Sequence, residues 1–193
     1  MESIQLMANG EATQGALFFI EGELINIIVK DVDRFQIGQS VTCISDSGQF
    51  TTKIIKKHNF NLYLYLPMTE QLMNENRRKA ARCELKVPAT INIIDTTLES
   101  EIIDISIQGL AFQLSALLGE ESELKIAFPI LEQMVTCGIE VKNQNEMGNG
   151  CVRCGSLITT ISEESRFQIR RYILMEQLKK IEEESQQLDP GIA

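Results

Sequence analysis

Asn61-Leu62-Tyr63-Leu64-Tyr65-Leu66-Pro67 decides the fold class. Three leucines alternate with an asparagine and two tyrosines, so a strand over residues 61–66 puts the leucines on one face. Pro67 has no N–H to give to a ladder, and the strand must end there. Upstream, Leu17 to Ile20, Leu24 to Val29, Val41 to Ile44 and Phe50 to Lys56 are rich in β-branched and aromatic residues. Turn formers separate them: Glu21-Gly22, Asp31-Val32-Asp33, Asp46-Ser47-Gly48 and His58-Asn59. Short strands at this spacing predict a small sandwich or barrel.

Beyond Pro67 the text turns polar through residue 82, which marks a domain boundary. Strand-like stretches resume at Cys83: Glu84 to Ile94, Leu98 to Ile105, Leu110 to Leu114, Leu124 to Phe128, Val135 to Val141 and Val152 to Thr159. Asn143 to Gly150 reads as the turn before the last of these, and Leu114 to Gly119 as a short helical or irregular connection. One helix is expected from near Ser162, with Ser162 and Ser165 as alternative caps and Glu163 and Glu164 suited to the first turn. Phe167, Arg171, Leu174, Leu178 and Ile181 mark one side of it, and it stops before Pro190-Gly191. The expected fold class is all-β. Residues 1–70 form an N-terminal β domain, 71–82 a linker, and 83–193 a second β unit ending in the helix.

The chain has 193 residues, 44% hydrophobic and 23% charged, which is ordinary for a globular protein and excludes collagen-like or wholly disordered chains. No apolar run approaches the length that spans a bilayer, and Met1-Glu2-Ser3 lacks a basic signal-peptide start, so a cytoplasmic location without membrane insertion is expected. The net charge of −9 argues against a nucleic-acid polymer as partner. Five cysteines in a reducing compartment do not suggest a disulfide framework. Cys151 and Cys154 form a lone C-x-x-C, and in a strand they would face opposite ways, so no metal site is expected. His58 is the single histidine. The chain contains no G-x-S-x-G, H-E-x-x-H or phosphate-loop motif, and an enzyme is not expected.

Against the acidic background stands Arg77-Arg78-Lys79-Ala80-Ala81-Arg82; residues 75–86 carry a net +3. Charge runs are usually solvated. Guanidinium groups also bond phosphate in bidentate fashion and stack on flat rings, which suits an anionic aromatic ligand. Twenty-two positions after Arg82 comes Asp104-Ile105-Ser106-Ile107-Gln108-Gly109, between two strands. Asp104 and Ser106 are two apart, so in an extended segment they share a side, where a carboxylate and a hydroxyl can bond a guanine edge. Gly109 permits a tight turn or a positive φ. A plain turn between strands is the competing reading.

The two stretches together resemble the PilZ domain family, whose members carry R-x-x-x-R in a leading segment and [D/N]-x-S-x-x-G some 20–30 residues later. Here Arg78, Arg82, Asp104, Ser106 and Gly109 fill all five positions in order, and Gln108 stands where many members have a second glycine. The resemblance covers about residues 75–181 and implies a six-stranded barrel followed by a helix. It implies a receptor for cyclic di-GMP, with no other cofactor. Arg78 and Arg82 would hold the phosphates and stack on or bond to the guanines. Asp104 and Ser106 would read a guanine edge, and Gly109 would shape the loop. Arg77, just ahead of the motif, is placed to add a contact.

The N-terminal strands resemble in architecture the small β domain of flagellar-brake PilZ proteins. That likeness implies that ligand binding changes domain packing and partner contacts, with a protein partner such as the flagellar motor. The outputs it brings into view are motility and biofilm signalling. The alternative is an adaptor of PilZ fold that binds no nucleotide and acts only through protein–protein interaction.

Overall fold

A computed structural model describes residues 2–46, 48–66, 81–93, 96–119, 123–148 and 150–187. The chain divides into two compact units, Met1–Ala80 and Ala81–Ala193. Each is a closed antiparallel barrel of six strands.

The first barrel comprises β1 (Glu2–Ala8), β2 (Glu11–Glu21), β3 (Leu24–Val29), β4 (Ser40–Ser45), β5 (Gly48–His58) and β6 (Asn61–Tyr65), in the order β1-β2-β3-β6-β5-β4. β1 was not anticipated. It alternates Ile4 and Leu6 into the core, and a two-residue loop, Asn9-Gly10, turns it into β2 with Ala8 opposite Glu11. Both loop residues have positive φ (51° and 81°), the backbone twist that a tight hairpin needs. Leu62 and Leu64 are fully buried with Leu6, Ile25, Ile27, Val41, Cys43 and Ile54. Tyr63 and its partner Asn26 are buried too, so the β3–β6 pair is covered on both faces and not half-exposed as the alternation predicts.

The second barrel comprises β7 (Cys83–Ile93), β8 (Thr96–Ile105), β9 (Gly109–Leu114), β10 (Glu123–Ile130), β11 (Gln133–Glu146) and β12 (Val152–Ile161), in the order β10-β11-β12-β9-β8-β7. β10 closes it onto β7 through Lys125–Asn92, Ile126–Ile91 and Ala127–Thr90. Its core takes alternate residues, among them Ile91, Ile102, Phe112, Ile126, Phe128, Val135, Ile139 and Cys154.

The expected turn at Asn143 to Gly150 is shorter than predicted. Asn143, Gln144, Asn145 and Glu146 stay in the ladder opposite Gly155, Cys154, Arg153 and Val152. The Gln144 side chain accepts from the Leu118 N–H (2.8 Å) and donates to the Leu118 carbonyl (3.2 Å), so a residue with turn-like composition is held as strand. The turn itself runs from Met147 to Cys151, with Gly150 at φ 79°.

The helix α1 (Glu163–Gln187) starts as expected, the Ser162 hydroxyl accepting the Ser165 N–H at 3.1 Å. Its buried stripe is Ile169, Ile173 and Gln177, with Gln168 beside it, at helical spacing of four. The predicted stripe led by Phe167 and Arg171 is wrong: Phe167 is 61% exposed and Arg171 is exposed. Apolar residues lie around much of this helix, so periodicity alone did not single out the packed side. The helix docks on the start of β7. The Tyr172 hydroxyl donates to the Glu84 carbonyl at 2.6 Å, and the Cys83 thiol reaches the Ile173 carbonyl at 3.8 Å.

Each barrel buries a thiol, Cys43 in the first and Cys137 in the second, and burial pushes both up to about 12 from 9.0. A neutral thiol favoured by folding contributes stability that is complete below the unfolded value and is lost as pH rises from about 9 to about 12. We expect both barrels to weaken across that window. We also expect a thiol reagent at pH ~8 to spare Cys43 and Cys137 until denaturant is added, because the thiolate is the reactive form. Mass spectrometry of labelled peptides checks this; prompt labelling of either residue in the native protein would contradict it.

Candidate functional site

The candidate site lies on the outer face of the second barrel, where β7, β8, β9 and β12 run side by side. Register fixes its layout: Glu84 is opposite Asp104, Asp104 opposite Ala111, and Ala111 opposite Gly155. The next row holds Glu101, Gln113 and Arg153. A bulge between Ile102 and Asp104 shifts the register of β8 against β9 at the aspartate.

Asp104 is at the centre. Its side chain is only 15% exposed, and both carboxylate oxygens are engaged by arginines. Arg82 donates through Nη1 to Oδ1 at 3.1 Å, and Arg153 donates through Nη2 to Oδ2 at 2.7 Å. The Arg82 contact joins the two stretches singled out in the sequence, which lie 22 residues apart. Arg82 is the residue just before β7, and its side chain is 61% exposed to solvent. Arg77 and Arg78 lie outside the described residues.

Arg153 was not singled out from the sequence, where it is an unremarked position inside Cys151-Val152-Arg153-Cys154. The available signal was alternation. Val152 and Cys154 are buried core residues, so Arg153 between them must point outward. It reaches Asp104 from two strands away, a span of about 10 Å that only a long side chain covers. It crosses from the row of Gln113 to the row of Asp104 and Ala111, while Gly155 in that row lies under the Asn143 side chain.

The Ser106 side chain is turned inward and does not share the outer face with Asp104. β8 ends at Ile105, so the extended geometry behind that expectation stops one residue short. Ser106 is 2% exposed, and its hydroxyl donates to the Gly109 carbonyl (3.0 Å) while accepting the Gly109 N–H (3.2 Å). The Ser106 N–H donates to the same Gly109 carbonyl at 2.8 Å. The serine therefore closes the β8–β9 hairpin. Without its hydroxyl the buried Gly109 N–H would lose that partner, a change that costs about 1–3 kcal/mol.

Gly109 is required for a different reason than expected. It does not have a positive φ. A Cβ there would sit 2.2 Å from the Ser156 carbonyl oxygen of β12, so the need is for close strand approach. Gln108 helps seat the loop, its carbonyl accepting the Ile158 N–H at 2.9 Å.

Among the described residues no cluster of three or more metal-ligating side chains occurs, and no helix is long and apolar enough to cross a membrane. Cys154 is buried in the core while Cys151 is partly exposed, which separates the two members of the C-x-x-C.

The model of the PilZ domain family matches residues 76–175, just over half of the chain. No curated protein matches. Among solved structures, the inhibitor of motility of Bacillus subtilis, MotI/DgrA, aligns over 93% of this chain and 97% of its own. Its identity is 17% and its TM-score 0.48. The complex of YcgR from Escherichia coli with c-di-GMP aligns over 97% of this chain and 88% of its own, at 14% identity and a TM-score of 0.48. The K. pneumonia MrkH–c-di-GMP complex aligns over 95% and 90%, at 17% identity and a TM-score of 0.46.

Proposed function

Because this chain belongs to the PilZ domain family, we propose that it is a receptor for cyclic di-GMP that performs no chemistry on its ligand. The observation that carries the reading is the Arg82–Asp104 contact, which assembles both halves of the motif on one face of the barrel. A phosphate needs fixed cationic donors, and a guanine edge needs an acceptor pair next to them. In this reading Arg78 and Arg82 take the phosphates and stack on or bond to the bases, with Arg77 adding a contact. Asp104 accepts from the guanine N1–H and N2–H groups. Ser106 and Gly109 set the shape of the loop that presents Asp104.

The output we assign is a change in domain packing and in the surface offered to a protein partner, with flagellar motility the process controlled and the motor the partner. A ligand can shift such an equilibrium only if it prefers one packing. Solution scattering and hydrogen exchange that are identical with and without saturating ligand would remove this part of the proposal.

Calorimetric titration of the full chain with cyclic di-GMP, and with GTP and cyclic GMP as controls, tests the receptor itself. Selective binding at micromolar affinity or tighter is expected. Absence of binding would leave a PilZ-fold adaptor that works through protein contacts alone.

A further inference from the structure

Asp104 and Arg153 form a fixed acceptor–donor pair on the barrel face, 2.7 Å apart, and the carboxylate is mostly buried. Guanine presents the matching pattern along one edge: the N1–H and N2–H donors, then the O6 acceptor, with the N7 acceptor next round the ring. Adenine reverses it, with an amino donor at position 6 and no proton on N1. An acceptor and a donor held side by side therefore discriminate between the two purines where a lone carboxylate does so less well.

We propose that Arg153 is a guanine-reading residue of the cyclic di-GMP site, donating to O6 and N7 of the base whose N1–H and N2–H edge Asp104 accepts. This rests on the receptor reading above. Two observations carry it. Arg153 is on the same barrel face as Asp104 and touches it directly. The contact uses one terminal nitrogen, Nη2, and the side chain stays 47% exposed, so the guanidinium also faces outward. Beside the pair, Ala111 lies next to Asp104 in the register, while the exposed Asn143 side chain covers Gly155 and bounds the site on that side. Guanidinium to O6 and N7 is also the commonest specific contact that proteins make with guanine.

The alternative role, that Arg153 merely holds Asp104 in place, makes a different prediction. It is separated by a double-mutant cycle in which one of the two changes is made in the ligand. The probes are cyclic di-GMP and its analogue with both N7 atoms replaced by C–H, titrated into the full chain, wild type and Arg153→Ala. The wild type is expected to bind the 7-deaza analogue about tenfold more weakly, within the range of a lost guanidinium–guanine contact. Arg153→Ala is expected to bind cyclic di-GMP about tenfold more weakly and to lose nothing further with the analogue. Arg153→Lys, which keeps the charge but not the fork, should fall between the two. An analogue penalty of the same size in wild type and Arg153→Ala overturns the assignment and leaves the receptor standing. So does a wild type indifferent to the analogue. A wild type that binds no cyclic di-GMP overturns the receptor reading together with this one.

Discussion

Replacing Arg82 with alanine should weaken cyclic di-GMP binding at least about tenfold while hardly changing the stability of the barrel. The two expectations separate because the guanidinium has different surroundings in each state. In the free protein its side chain is 61% exposed, and exposed ion pairs contribute less than about 1 kcal/mol. In the complex it would be desolvated against phosphate, where removing one partner of a charged contact costs about 2–5 kcal/mol. Arg78→Ala should behave alike. Asp104→Ala should weaken binding by less, since it removes one guanine edge and leaves the phosphate contacts. Calorimetry for affinity and urea melts for stability read the two quantities independently. Equal affinities for wild type and Arg82→Ala would sink the assignment of roles.

Gly109→Ala should show the opposite signature, a large loss of stability. The new methyl would lie 2.2 Å from the Ser156 carbonyl oxygen, a backbone atom that cannot rotate away. Either β9 and β12 separate, or the hairpin that presents Asp104 shifts. Overpacking of this kind costs about 1–3 kcal/mol, and a clash with backbone belongs at the upper end. For a domain of this size that lowers the midpoint by roughly 10 °C or more. Gly10→Ala is the useful comparison. Gly10 has φ 81° and nothing within 4 Å of the added carbon, so only backbone strain of about 1–2 kcal/mol applies. A Gly109→Ala protein that melts like wild type would show that the strands are not in such close contact.

Much of this architecture was open to reading because it is written in local chemistry. Leu110 to Leu114 and Val135 to Val141 are strands by composition, and Ser162 ahead of two glutamates marks a helix start in any context. The first strand was legible but missed. Asn9-Gly10 is a strong two-residue hairpin signal, and Ile4 and Leu6 alternate ahead of it. The polar run Asn143 to Glu146 could not be assigned from composition, because what keeps it extended is the backbone of Leu118, 26 residues away from Gln144.

The site divides along the same line. Arg82, Asp104, Ser106 and Gly109 could be named because they fill the motif positions of the family the chain resembles. Their individual tasks could not. Ser106 turns its hydroxyl inward only because β8 ends one residue before it, and Gly109 is confined by a carbonyl from a strand 47 positions on. Arg153 enters through sheet register, which brings together positions 49 residues apart.

The closure of the second barrel has a consequence for solubility. β10 meets β7 only at residues 90–92, which leaves the backbone of residues 83–89 unmatched on that side by β10. A strand edge that no neighbouring strand covers invites a second chain to extend the sheet. The C-terminal helix lies over the start of that strand, and Tyr172 occupies the Glu84 carbonyl. The helix covers part of that edge, which is one way natural proteins limit strand-to-strand self-association. Proteolytic clipping at its base is expected to bare that edge and promote aggregation.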